Sequence, residues 1–386
     1  MNKLPLTIAY VTVNDPRDRR SWSGTDHYLL HALERRVARV EVIGPLRPQP
    51  ELFLCRAFNQ MMLRTTGKRY NYRDSVVMAR AYARMIGPRL RDADLIVAPA
   101  GLATTALLRT KVPIIHVNDR CIAGAIGYHR ILSDLADFSL RESLALERRT
   151  LVNAALTVYS SHWAADAARA AMPEAAGKVR VIPFGANLEE APPPPAPRAF
   201  PPERLKLLML GVNWAEKGGP IAYDTLLDLK RRGQRAQLVV CGCDPPPGCA
   251  DPDLVREGFL DKNIPAERAR LEEHLRTADV LLLPTRFEAY GIVFCESAAY
   301  GIPVLATRTG GIPTIVQEGI TGHLLDPTAG GAAYTDRVME LVRHPDRWQA
   351  MRQAARTRYE STLNWEAFVE RLLREAHEAG LISSAR

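Results

Sequence analysis

Two glutamates with seven residues between them, Glu288 and Glu296, follow the apolar run DVLLLPT in the stretch RFEAYGIVFCESAAYGIPVLATRTGG (286–311). If 279–285 is a strand, RFEAYG is the loop at its carboxyl end and IVFCESAAYG has helix character. On a single helix the two carboxylates would stand about 80° apart, a poor arrangement for one small ligand. With Glu288 in the loop and Glu296 about a turn into the helix, both face the same site. Between them the N–H groups near Gly291 and Ile292 form a helix N-terminus, which suits a phosphate. An ionised carboxylate only accepts hydrogen bonds, so each Glu suits hydroxyl groups. A phosphate flanked by hydroxyl-binding carboxylates describes a nucleotide sugar, ribose on one side and sugar on the other.

These residues need strands to carry them. The chain has 386 residues, too many for one ordinary core, and it reads as two domains. LTIAYVTV, ARVEVIG, ADLIVAPA, VPIIHVND, LTVYSS and VRVIPFG read as buried strands of the first half; LKLLMLG, AQLVVCG, DVLLLPT, IPVLAT and TGHLL read as those of the second. Helical periodicity lies between them, as in DHYLLHALERR and SLRESLALERRTLVNA. Apolar strands alternating with helices predict α/β architecture, two doubly wound Rossmann-like domains with parallel sheets, facing each other across a cleft. The expected division is 1–188, a proline-rich extended linker at 189–203 (EEAPPPPAPRAFPPE), and 204–362. Ligands bind such sheets at the carboxyl ends of the strands. No G-x-G-x-x-G follows the first strand of either half, which argues against a nicotinamide dehydrogenase.

EAYGIVFCE (288–296) resembles the E-x7-E element of retaining glycosyltransferases of the GT-B fold, most like family 4. The resemblance extends along the chain: SWSGTDHYLLHALERR (21–36) is similar to the glycine loop and first helix, GVNWAEKGG (211–219) to the element after the first strand of the C-terminal domain. GFLDK (258–262) is similar to the turn beside the base, and TGGIP (309–313) to a Gly-Gly loop. It implies that Glu296 holds the ribose, Glu288 the donor sugar and Lys217 the diphosphate. Gly24 lets the N-terminal loop approach the donor, and Phe259, Lys262, Tyr290, Gly291 and Ile292 complete the donor site. Glu288, Lys217 and Asp119 are the implied catalytic positions, and a C-terminal helix (363–386) is expected to pack back on the N-terminal domain. It also implies retention, and a nucleotide diphosphate sugar as co-substrate with no metal required. Growing negative charge on the leaving diphosphate is met by Lys217 and N–H dipoles. The one D-x-D, Asp251–Asp253, sits in a proline-rich stretch and reads as a turn.

Two positions depart from the family pattern. Val212 stands where many members have an Arg, leaving Arg286 or Lys262 to supply that phosphate contact. Asp119 stands where the strand ending in VND normally leads to a His, while His116 lies three residues earlier, inside the strand. Structural roles compete for these residues: a helix N-cap for Asp119, a packed strand position for His116, a plain helix position for His27. Two other readings stand beside this one: another GT-B enzyme acting on a nucleotide sugar, such as an epimerase, and, from these departures, a non-catalytic nucleotide-sugar-binding subunit.

Composition adds the acceptor side. Hydrophobic residues make up 47% and charged residues 24%, as in a globular protein. No apolar run approaches the roughly 18 residues of a membrane span. The N-terminal MNKLPLTIAYVTV reads as a first core strand, and the six cysteines, three of them in CGCDPPPGC (241–249), as free thiols. Both point to the cytoplasm. The net charge is +8, with 27 basic against 18 acidic residues in 1–190, and nine against one in 56–91. If 69–86 is one helix, Arg69, Arg73, Arg80 and Arg84 fall within about 60° of one face. That face is either solvated or holds an anionic lipid headgroup or lipid-diphosphate acceptor at the inner membrane surface. No nucleic-acid-reading motif is present, so the expected partners are a nucleotide sugar and a saccharide or lipid-linked acceptor. The expected output is a glycan, a glycolipid or a cell-surface polysaccharide.

Overall fold

Six parallel strands build each of two sheets in the computed structural model, which describes residues 3–128, 132 and 134–383. Contacts divide the chain into two units, one of Met1–Ile182 with Phe368–Arg386, the other of Pro183–Ala367.

In the first unit the sheet order is β2-β1-β3-β4-β5-β6: β1 is Leu4–Val11, β2 Val37–Ile43, β3 Leu95–Pro99, β4 Ile114–Asn118, β5 Leu156–Tyr159 and β6 Val179–Val181. Ile8, Ala9, Tyr10 and Val11 are wholly buried, as are all five residues of β3. Such continuous burial is why these strands read as unbroken apolar runs rather than alternating ones. The strand order reverses between β1 and β3. The basic segment departs from one continuous helix. Arg69 lies in an isolated parallel bridge with Leu135, Arg73 in a short 3₁₀ turn, and the helix starts only at Val76. Ser75 caps it, its hydroxyl accepting from Met78 N at 3.3 Å, a better helix start than any residue upstream. The four arginines therefore do not share one helical face. Residues from Phe368 onward group with this unit, where Glu375 takes Arg180 at 2.7 Å.

The second sheet runs β12-β11-β10-β7-β8-β9: β7 is Leu205–Leu210, β8 Ala236–Cys241, β9 Leu254–Gly258, β10 Val280–Leu283, β11 Val304–Thr307 and β12 Gly322–Leu325. Its order reverses between β7 and β10. The proline-rich run 189–203 lies in this unit and is held against it. Its carbonyls have no strand partner, and arginines satisfy them instead: Arg356 donates to Pro192 O at 2.8 Å and Arg352 to Ala196 O at 3.2 Å. Phe200 stacks on Trp348 with ring centres 4.1 Å apart.

Candidate active site

The second unit places Lys217 and Glu288 at the carboxyl ends of β7 and β10, the two strands between which the order reverses. The loop after β7 turns on itself. Lys217 N donates to Asn213 O at 2.9 Å, Gly219 N to Trp214 O at 2.7 Å, and Asn213 Oδ1 accepts from Glu216 N at 3.0 Å. Gly211 lets the lysine stem cross the chain: a Cβ there would sit 2.6 Å from Lys217 Cγ. Gly218 has φ +75° and a Cβ would fall 1.9 Å from Pro284 O, so only glycine permits this approach to the end of β10. The two loops are also bonded, Arg286 N donating to Glu216 O at 2.8 Å. Lys217 Nζ then reaches Glu288 Oε2 at 2.6 Å.

Three residues on, Gly291 takes a left-handed φ of 97° and caps the helix Ile292–Ala299. Its N-cap residue is a glycine and offers no side-chain cap, so the first N–H groups depend on other partners. Glu296 lies in the second turn, almost wholly buried, and pairs with Lys262 from the loop after β9. Lys262 Nζ also lies 3.4 Å from Asn187 O. The expected placement of one Glu in the loop and the other in the helix is thus what the structure shows. Each carboxylate has its own ammonium.

Other expected residues take different places. Tyr290 is buried, and its hydroxyl donates to Phe184 O at 2.9 Å. Its side chain anchors the loop from the core side and does not present itself to a ligand. Phe259 is exposed, as is Val212, at 70%. Arg286 donates to Pro327 O. Asp251 and Asp253 both take Lys230, at 2.7 and 2.5 Å.

In the first unit, Asp119 follows β4 and accepts from Trp22 Nε1 at 3.1 Å. Burial raises its carboxyl above the ordinary range, against the pull of Arg120 and the indole hydrogen bond. Trp22 was not singled out in the sequence. It and Ser23 have φ of 48° and 56°, and Gly24 has 91°, three left-handed residues in succession. Two of them bear side chains that disfavour that region. Behind this loop Asp26 is buried and accepts from Asn14 Nδ2 at 2.7 Å and from Tyr10 Oη at 3.2 Å. Burial pushes it up to about 6. His116 is wholly buried within β4 and burial lowers its imidazole to about 4, so it is a neutral packed residue. His27 is also buried, its Nδ1 3.2 Å from Pro16 O.

Chains of this architecture are known. Sucrose-phosphate synthase from Thermosynechococcus elongatus superposes with a TM-score of 0.63 at 18% identity, covering 97% of this chain and 100% of that one. Anabaena Alr3699/HepE, solved in complex with UDP and glucose, gives 0.62 at 14% identity over 97% and 100%. Two doubly wound parallel units of this kind are the GT-B fold. The family described as "Family 4 Glycosyltransferase in conflict systems" matches residues 125–372, and that described as "Glycosyltransferase Family 4" matches 27–190. The chain belongs to glycosyltransferase family 4. A D-inositol 3-phosphate glycosyltransferase of Thermobifida fusca is 36% identical over 115 residues, 30% of this chain and 26% of that protein. A GDP-mannose-dependent alpha-(1-6)-phosphatidylinositol monomannoside mannosyltransferase of Mycobacterium tuberculosis is 29% identical over 220 residues, 51% and 55%. The chain thus spans between about a quarter and about a half of the length of these two curated relatives.

Proposed function

We propose that this chain transfers a sugar from a nucleoside diphosphate sugar to an acceptor hydroxyl, with retention at the anomeric carbon and without a metal. The carrying observation is the Lys217–Glu288 pair at the β7/β10 reversal, beside a helix N-terminus whose N-cap is Gly291. In this reading the diphosphate lies on the N–H groups after Gly291. Glu296 accepts from the ribose hydroxyls and Glu288 from the sugar. Negative charge grows on the leaving diphosphate as the glycosidic bond breaks, and Lys217 meets it with a fixed positive charge. Such a partner favours the transition state over the bound donor.

One relative is named for a GDP-mannose donor and one solved structure holds UDP, so titration with each nucleotide decides the base. Their named acceptors, an inositol phosphate and a phosphatidylinositol mannoside, both carry phosphate. A phosphate-bearing acceptor suits the basic first half of this chain. Asp119 would accept a hydrogen bond from the acceptor hydroxyl, its carboxylate held by Trp22. Peripheral contact with an anionic membrane, on the cytoplasmic side, belongs to the same reading.

The test is calorimetric titration with UDP, GDP and ADP, followed by turnover of the matching sugar donor with phosphorylated acceptors. The expected result is binding of one nucleoside diphosphate and acceptor-dependent release of it from the donor. Failure of all three to bind overturns the site. Conversion of the donor with no acceptor present would make the chain an epimerase instead.

A further inference from the structure

The helix Gln49–Thr66 of the first unit is packed on one side only. Cys55 is buried and Leu52 packs against the same core. Asn59 Oδ1 accepts from Tyr70 N at 2.8 Å. The other side carries Phe53, Leu54, Phe58 and Met61, which are 71%, 64%, 37% and 50% exposed. Leu54, Phe58 and Met61 are spaced four and three residues apart and stand in one row; Phe53 stands in the next. Phe58 meets Tyr70 edge-on at 5.1 Å and Phe138 at 6.3 Å, and Phe138 is itself exposed. The apolar surface thus continues onto a second helix. Single exposed apolar side chains are ordinary; a contiguous group of large ones marks a surface that something covers.

Charge identifies what covers it. Arg56 flanks the Phe53 row and Arg64 continues that row toward the end of the helix; both are exposed, and Lys68 follows the helix. The one acid of the helix, Glu51, is taken by Arg84. Asp137, next to Phe138, is met by Lys68 at 3.3 Å. The surface is therefore apolar at its centre and basic at its edge, which complements lipid tails beneath a layer of anionic headgroups. Among the described residues no helix is long and apolar enough to cross a membrane, so the fit is to a helix that lies in the surface.

We propose that Gln49–Thr66 lies in the face of an anionic bilayer, with Phe53, Leu54, Phe58 and Met61 among the outer acyl segments and Arg56 and Arg64 on lipid phosphates. This rests on the reading of the first half as the acceptor-binding half, and it moves the membrane contact from the arginines of 69–86 to this helix. The full chain is tested by co-sedimentation with vesicles of phosphatidylcholine alone or with about one part in four phosphatidylglycerol. The wild type should bind the mixed vesicles at least about tenfold more tightly, and less so as salt is raised. Phe53→Ser with Leu54→Ser and Met61→Ser, and separately Arg56→Glu with Arg64→Glu, should each lower that binding at least about tenfold. Every replaced side chain is exposed, so the thermal midpoint and nucleoside diphosphate affinity should stay as in wild type. That control separates failure here from failure of the donor site. Equal binding of the serine variant and the wild type would overturn insertion. A wild type that ignores both vesicles but self-associates, with the serine variant monomeric, would show that a second copy covers the surface. Neither vesicle binding nor self-association would leave an acidic protein as the partner and would equally overturn the proposal.

Discussion

Lys217 Nζ stands 2.6 Å from Glu288 Oε2, bridging the ends of the two strands at which the second sheet reverses its order. Both side chains are mostly buried, at 20% and 13% exposure. Replacing the lysine by alanine therefore leaves a shielded carboxylate without its cation and removes the charge that faces the leaving diphosphate. Lys217→Ala should lower kcat at least about 100-fold, with a smaller change in donor KM, because the charge it meets grows during bond cleavage. Steady-state kinetics at saturating acceptor check this. Full turnover in the variant would put the phosphate site elsewhere.

Glu296 gives a different signature. It is paired with Lys262 in the structure, and in the proposed site it accepts from the ribose. Glu296→Ala should weaken nucleoside diphosphate binding by about 2–4 kcal/mol, the range for charge-assisted hydrogen bonds whose partner is left unpaired. Glu296→Gln keeps an acceptor and should lose less. Lys262→Met tests whether the ammonium acts through Glu296 or on the phosphate. If it acts only through the glutamate, the double variant with Glu296→Ala is no weaker than Glu296→Ala alone. Calorimetry reads all three, and unchanged affinity in Glu296→Ala would remove the ribose role.

The strands that hold this site were legible because they are buried on both faces: VLLL (β10) and VLAT (β11) carry no polar interruption. β9 was missed. It is the edge of its sheet, and LVREG is half exposed, so its pattern resembles a loop. The apolar run before Glu288 and the spacing to Glu296 pointed to one glutamate in a loop and one in a helix, but nothing in them shows where Tyr290 points. That is decided by the Phe184 carbonyl, more than a hundred residues earlier. The same holds for Trp22: its link to Asp119 spans 97 positions and depends on two left-handed residues that no propensity favours. Helix Gln49–Thr66 shows a further limit. Its apolar residues lie on two faces, and a sequence does not say which face is covered.

Glu147 supplies a prediction about pH. It is wholly buried, its Oε1 accepts from Ile122 N at 2.8 Å, and Cys121 Sγ donates to its other oxygen at 3.4 Å. Burial pushes its carboxyl up from 4.5 to about 7. A carboxyl raised in the fold holds its proton more tightly folded than unfolded. Its contribution to stability is fully present below about 4.5 and is lost as pH rises through about 7. Glu147→Gln keeps the acceptor for Ile122 N and cannot ionise. The thermal midpoint of this variant should exceed that of wild type at pH 8, and the difference should shrink or reverse near pH 5. A wild type whose midpoint moves in parallel with the variant across that range would show that Glu147 does not titrate there.

Val212 supplies the last prediction, a gain rather than a loss. It follows Gly211 just after β7 and is 70% exposed. A longer side chain there meets open space, so an arginine costs little packing. Its guanidinium would offer a planar pair of donors to phosphate oxygens, which a lysine cannot do. Val212→Arg should tighten nucleoside diphosphate binding about tenfold, or about 1.4 kcal/mol, and make it more sensitive to salt. Val212→Met adds a longer side chain without charge and should give no gain. The two variants are compared by calorimetry at low and high salt. Equal affinities for the arginine and methionine variants would mean that the diphosphate does not lie over the end of β7, and the donor site would have to be redrawn around Arg286 and Lys262.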